Sequence, residues 1–253
     1  HLTERLLAHG ARVRAMTHGK PGHLAGLKHD CLSLHDGDLR DAGFVSAFVA
    51  DSEYVFPLGA VTGVAYSYAH PEETIETNVM GTEMVLKTAR RYRKKVMIAS
   101  TSEIYGKSNR APFAEDDDRV QGPTTKSRWS YATSKALDEF LALAYHKEVG
   151  LPVVIFRLFN TVGPRQTGRY GMVIPRFVRW ALAEEPIQAY GTGQQTRCFA
   201  NVGDVVEAID RLSECEAAVG QVFNVGSQEE VTILELAGRV KARAGSGSEV
   251  LTH

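Results

Sequence analysis

Short apolar runs separated by segments of helical length recur through the first 160 residues, and that alternation limits the folds open to this chain. Residues 96–99 are apolar and run straight into Ser100, and Val153–Leu158 is apolar and β-branched and ends at Phe159-Asn160. Tyr54-Val55-Phe56 reads as a buried strand, and residues 11–16 and 31–34 as two shorter ones. Between them lie helical patterns. Residues 1–9 place Leu2, Leu6 and Leu7 on one face with Gly10 as the cap, and residues 41–50, 71–91 (Pro71 in the first turn) and 130–147 follow. Strand and helix in turn at this spacing predict a doubly wound parallel α/β sheet. Such sheets bind ligands at the carboxyl ends of their strands, so Ser100 to Glu103 and Phe159-Asn160 fall on the binding rim.

After Asn160 the pattern changes. Gly163-Pro164, Gly168, Gly171, Gly191 and Gly193 break the chain into short pieces. Residues 1–160 therefore read as the sheet domain. Residues 161–253 read mainly as a smaller, irregular lobe with some segments returning to the sheet domain, with helices over 174–183 and 233–242 and a short strand at Val222–Val225.

Composition sets several function classes aside. With 29 basic and 30 acidic residues the net charge is −1, which gives no electrostatic footprint for nucleic acid or a membrane surface. No apolar run reaches the roughly 18 residues of a membrane span. Cys31, Cys198 and Cys215 are odd in number and far apart, without a CxxC. That argues against a disulfide framework or a zinc site and fits a reducing cytoplasm. His29, His35, Asp36 and Asp38 lie close in sequence but match no common ligand spacing, so no metal is expected.

Tyr131-Ala132-Thr133-Ser134-Lys135 opens the last of the long helical patterns. Tyr and Lys four residues apart share one helix face. An ammonium beside a phenol favours the phenolate and would lower its pKa from the usual value near 10, so that the phenol could take a proton at neutral pH.

Taken together, these pieces resemble the extended short-chain dehydrogenase/reductase family, in particular its nucleotide-sugar epimerases, 4,6-dehydratases and decarboxylases. The matching residues, in order, are Gly37-Asp38-Leu39-Arg40, Phe56-Pro57-Leu58-Gly59-Ala60, Glu76-Thr77-Asn78-Val79 with Gly81-Thr82, and Ser100-Thr101-Ser102-Glu103-Ile104-Tyr105-Gly106. The Tyr131/Lys135 pair, Arg157 to Thr161 with Gly163-Pro164-Arg165, Thr196-Arg197 and Phe223-Asn224-Val225-Gly226 complete the set. Two features depart from the family pattern. The strand and Gly-rich turn that seat the cofactor's pyrophosphate are not among these residues, and the first helix resembles the one that should follow that turn. Thr17-His18-Gly19-Lys20 stands where an acid would bond the adenosine ribose, and with Arg14 it offers cations to a 2′-phosphate. The family still favours NAD over NADP.

The resemblance implies a Rossmann-like cofactor domain and a mechanism. The sugar's C4 hydroxyl loses its proton to Tyr131 and its hydride to NAD. Lys135 lowers the phenol's pKa and bonds the nicotinamide ribose, and Thr101 bonds the sugar O4. Glu103 matches the base that acts at C5 once C4 is a ketone, and Ser102 stands beside it on the substrate side. Asp38 and Leu39 meet the adenine; Leu58, Gly59 and Ala60 line the pyrophosphate; Ser100 and Leu158 border the cofactor. Asn160 and Arg197 hold the substrate diphosphate, and Val173 and Ile174 present backbone to its base. The substrate is a UDP-, dTDP- or GDP-sugar. The reactions left open are dehydration or C5-centred epimerisation, decarboxylation of a uronate and simple 4-epimerisation. A member that binds the sugar nucleotide without turning it over is the alternative class. A homodimer paired through the two long helices is expected, with Met80, Met84, Leu137 and Leu141 as seam or packing residues.

Overall fold

The computed structural model describes residues 1–108, 110–168 and 171–253. Its first segment is helix α1 (Leu2–Ala8), followed by strands β1 (Val13–Thr17) and β2 (Leu32–Asp36). Next are α2 (Ala42–Ala50), β3 (Tyr54–Val55), α3 (Val64–Ala69) and α4 (Pro71–Ile75). Asp41 caps α2 by accepting the Phe44 N–H. The helix expected as one piece over 71–91 is instead α4, a π-helical stretch Glu76–Met80 and α5 (Gly81–Tyr92). Beyond it come β4 (Lys95–Thr101), α6 (Ser130–Val149) and β5 (Val153–Leu158).

The central sheet is parallel, in the order β10-β5-β4-β3, where β10 is Val222–Val225. Residues of the later part thus return to the sheet that the earlier part builds. Register pairs Val96 with Val153 and runs to Thr101 beside Leu158, so the two strands end level. Alternation along these strands sends side chains to opposite faces. Val96, Ile98, Val153 and Ile155 pack with Val45, Val49, Val85 and Leu86 from α2 and α5. Met97, Val154 and Phe156 pack on the other face with Val205 and Ile209. Those last two belong to α8 (Val202–Glu214), a helix absent from the sequence reading of an irregular lobe.

The remaining elements are β6 (Thr161–Val162), α7 (Val173–Leu182), β7 (Ile187–Ala189), β8 (Thr196–Cys198), β9 (Ala200–Asn201), β11 (Glu230–Thr232), α9 (Ile233–Ala244) and β12 (Val250–Thr252). Phe177, Trp180, Ile187, Val231, Leu236 and Ala237 form a further core cluster between α7, α9 and the short strands.

Strands β1 and β2 make a separate parallel pair. Among the described residues no ladder joins this pair to β3, the outer strand of the central sheet. A cleft of about 1490 Å³ lies between them, lined by Val13, Ala15, Tyr54, Val55, Phe56 and Val85 among others. Tyr54, expected to be buried, borders this cleft and is 41% exposed.

Candidate active site

Strand β4 ends at Thr101, and the chain turns at once through a 3-10 turn over Ser102–Tyr105. The Thr101 hydroxyl accepts the Glu103 N–H at 3.2 Å and caps that turn. Gly106 leaves it at φ +67°, with the Val120 carbonyl oxygen 2.2 Å from where a Cβ would stand, so only glycine fits. Strand end, cap and glycine together fix Glu103 on the rim.

A buried network holds this rim to α6 and β5. Arg157 on β5 grips Glu139 of α6 with Nε to Oε1 at 3.0 Å and Nη2 to Oε2 at 2.8 Å. The Ser100 hydroxyl donates to the same Oε1. Arg157 Nη1 also donates to the Tyr105 hydroxyl and the Glu115 carbonyl, each at 2.7 Å. Tyr105 in turn donates to Asn224 Oδ1 at 2.7 Å, at the end of β10. Ser100 is thus committed to the scaffold through its side chain.

Asn78, in the π-helical stretch, does similar work on the other side. Its Oδ1 accepts the Val61 N–H at 2.8 Å, and its Nδ2 donates to Val61 O and to Ser134 Oγ, at 3.3 and 3.2 Å. Ser134 Oγ donates onward to the Tyr131 carbonyl at 2.8 Å. The loop after β3 is thereby pinned to the helix that carries Tyr131. Asn78→Ala should leave the part-buried Val61 N–H without its partner and lower stability by about 1 kcal/mol, read from the urea midpoint.

Tyr131 and Lys135 lie in the first turns of α6, as the spacing predicts. The electrostatics differ from the expectation. Burial foremost, then the Glu103 and Asp138 carboxylates, push the Tyr131 phenol up to about 12, while the Thr101 hydroxyl works in the opposite direction. Lys135, which should pull it down, is 5% exposed and gives its Nζ to Asp138 Oδ2 at 2.7 Å. Burial also raises Glu103, against Arg128, whose Nη1 is 3.8 Å from Glu103 Oε2. Thr101, Glu103 and Tyr131 therefore lie together at the rim, Lys135 follows one turn further along α6, and Asp138 joins them unannounced.

The other sequence-derived positions fall in two groups. Asp38 and Leu39 follow β2, and Leu58, Gly59 and Ala60 follow β3. A Cβ on Gly59 would come within 2.9 Å of Leu39 Cδ1, so these two segments close on each other. Asp38 is gripped by Arg40, Nη2 to Oδ2 at 2.6 Å, which holds its carboxyl down at about 2. Arg14 does not stand ready for a phosphate. It lies over the Phe48 ring at 4.6 Å and donates to Phe48 O and Asp51. His18 and Lys20 remain exposed. In the second group, Asn160 Nδ2 donates to Cys198 O at 2.9 Å, and the exposed Arg197 donates to Thr196 O at 2.6 Å. Val173 and Ile174 begin α7; their side chains pack on the second core, and their N–H groups lie in the first turn, where a helix supplies no partner. Ser102 is half-buried beside Glu103, and Leu158 half-buried at the end of β5. No group of three or more His, Cys, Asp or Glu side chains among the described residues is placed to hold a metal.

A parallel sheet with a phenol, an ammonium, a hydroxyl and a carboxyl placed near its strand ends has the layout of the nucleotide-binding α/β class. Residues 1–226 match the NAD dependent epimerase/dehydratase family, and the chain belongs to it. Among its relatives, the UDP-N-acetyl-alpha-D-glucosaminuronate decarboxylase of Bacillus cytotoxicus is 44% identical over 214 residues, 84% of this chain and 66% of that one. UDP-glucuronic acid decarboxylase 2 of Arabidopsis thaliana is 33% identical over 247 residues, 94% of this chain and 52% of that one. The chain thus spans between half and two thirds of the length of these curated relatives. Its fold is similar to that of the UDP-glucuronic acid 4-epimerase of Bacillus cereus, solved with UDP-glucuronic acid and NAD. The TM-score is 0.89 at 25% identity, over 100% of this chain and 81% of that one. An epimerase from Methanothermobacter thermautotrophicus gives a TM-score of 0.91 at 27% identity, over 100% of this chain and 75% of that one.

Proposed function

We propose that this chain carries the catalytic centre of an NAD-dependent enzyme that oxidises a nucleotide-diphosphate sugar at C4, and that the substrate is a UDP-uronate which then loses CO₂. The observation that carries the first part is the gathering of Thr101, Glu103, Tyr131 and Lys135 on the rim of β4 and α6. The second part draws on the relatives named above, which are decarboxylases of UDP-uronates. Residues 1–160 then serve mainly the cofactor and 161–253 mainly the substrate. The cleft bordered by Thr17, His18, Leu39, Leu58 and Gly59 suits an extended dinucleotide, because glycine and short side chains there permit close approach. Asp38 and Leu39 would hold the adenine end, Leu58 to Ala60 the pyrophosphate, and Ser100, Lys135 and Leu158 the reactive end. With Arg14 committed to α2, NAD fits better than NADP.

NAD, when bound, would supply the acceptor for the C4 hydride and the donor that returns it to C4 once the chemistry at C5 is over. Tyr131 takes the C4 hydroxyl proton, with Thr101 positioned to orient O4. In a uronate the new ketone is β to the carboxylate, so the C5–carboxyl bond breaks with the electron pair drawn into the ketone. Glu103, a carboxyl lifted by burial, is suited to move a proton at C5. Asn160 and Arg197 would bind the diphosphate, with Ser102, Val173 and Ile174 along the sugar and base. Mass spectrometry of products from a panel of nucleotide sugars, using the full-length protein with NAD, tests the reading. Loss of CO₂ from a UDP-uronate is expected. Simple inversion at C4 or loss of water replaces the decarboxylase branch by the epimerase or dehydratase one, and binding without turnover would leave a sugar-nucleotide-binding protein.

A homodimer fits the same reading. Met80 and Leu137 are exposed, as are Ile75 and Phe140, on the surface shared by α4, α6 and the π-helical stretch. Met84 and Leu141 pack into the core and belong to the sheet side. Light scattering at micromolar concentration should give twice the protomer mass. A cytoplasmic setting accords with three free cysteines, two of them exposed. No helix among the described residues is long and apolar enough to cross a membrane.

A further inference from the structure

Asp138 has no part in the chemistry derived so far, yet it is the most deeply buried carboxylate beside it. Its side chain is 0% exposed. Oδ2 takes the Lys135 ammonium at 2.7 Å, while Oδ1 is buried without a hydrogen bond of ordinary geometry. Thr82 of α5 is the other polar side chain that bears on it, and Glu139, the next residue on α6, repels it. A carboxylate held dry with one oxygen unpaired is costly, because burial disfavours its charged form. What it gains in return is the Lys135 charge. A single ammonium cannot give its full field to two anions, and the second claimant here is the Tyr131 phenolate.

The geometry points to Asp138 as a positioning residue that competes with Tyr131 for the Lys135 ammonium and so sets the pH at which the site can take up a substrate proton. This rests on the reading of Tyr131 as the base. Glu103 and Thr101 from the β4 rim and Asp138 from α6 bear on the phenol, and Lys135 follows Tyr131 by one helical turn on the same face of α6. Arg128 acts on it only through Glu103. Asp138 works on the phenol twice, by its own negative charge and by its hold on Lys135. Both effects keep Tyr131 protonated to higher pH.

The test is the pH profile of kcat/KM for the full-length protein with NAD. In Asp138→Asn the ascending limb should move to lower pH by about one unit or more, the size expected when a charge within ionic contact is removed. Asp138→Glu, which keeps the charge, should hold the limb near the wild-type position. Thr82→Val is isosteric and strips Asp138 of its remaining polar support; it favours the neutral carboxyl and should move the limb in the same direction as Asp138→Asn. It carries the test if Asp138→Asn does not fold. A purely structural role for Asp138 would lower stability and leave the limb in place. A limb that stays put or moves to higher pH in the folded variants overturns the proposal. Tyr131→Phe separates the two possible failures. If that variant turns over normally, the base assignment falls and this inference with it. If it is inactive while the limb ignores Asp138, this inference alone falls.

Discussion

Tyr131→Phe should cut the first oxidation by about 10²–10⁴-fold, the usual effect of removing a general base. The measurement is single-turnover formation of reduced cofactor in the full-length protein. Substrate affinity should hardly change, because the ring is kept and only the hydroxyl is lost. The same assignment fixes the sign of the pH dependence. Burial and two carboxylates push the phenol up to about 12, so the phenolate fraction, and with it the wild-type rate, should rise with pH and fall as pH drops. A variant that keeps the wild-type rate would remove Tyr131 from the role of base.

Glu103→Gln should separate the possible reactions. The amide keeps the size and most of the hydrogen bonding but cannot exchange a proton at C5. If the reaction passes through C5, the variant should stall with a 4-keto sugar and reduced cofactor in place. In D₂O, deuterium at C5 of the wild-type product, lost in the variant, marks that route. If only C4 inverts, the variant should run at close to the wild-type rate without wash-in. The environment favours the first outcome. Glu103 is 36% exposed at the side chain and its carboxyl is lifted by burial, with Arg128 opposing from 3.8 Å. A carboxyl so poised can hold or release a proton more easily than one fully in water.

The parallel sheet and the rim were legible because strand ends in this fold leave a direct trace. Val153–Leu158 is an apolar run interrupted only by Arg157, and the chemistry-bearing Ser100 to Glu103 begin where the preceding run stops. Helix α8 was less legible. Val205, Ile209 and Leu212 recur at helical spacing and Asn201 caps the helix by accepting the Gly203 N–H, but the glycines and short strands before it suggested an irregular lobe. Its burial against the back of the sheet depends on partners such as Met97 and Phe156, which are distant in sequence. The break in the helix over 71–91 falls at Gly81, which directly follows the π-helical stretch, but the contacts of Asn78 with Val61 and Ser134 that accompany it join residues distant in sequence. Asp138 was invisible for a similar reason. Three residues past Lys135 it reads as an ordinary helix acid, and only the tertiary packing around α6, Thr82 of α5 included, removes it from water.

The close approach of Leu39 to Gly59 and Gly81 bears on how the two groups of proposed cofactor contacts are spaced. Asp38 and Leu39 ride on the β1–β2 pair, whereas Ser100, Thr101 and Leu158 ride on the central sheet. Side-chain packing of α2 on α5, and of Leu39 against the Gly59 and Gly81 backbone, holds the two groups together. A side chain added at Gly59 would meet Leu39 Cδ1 at 2.9 Å and push the segments after β2 and β3 apart.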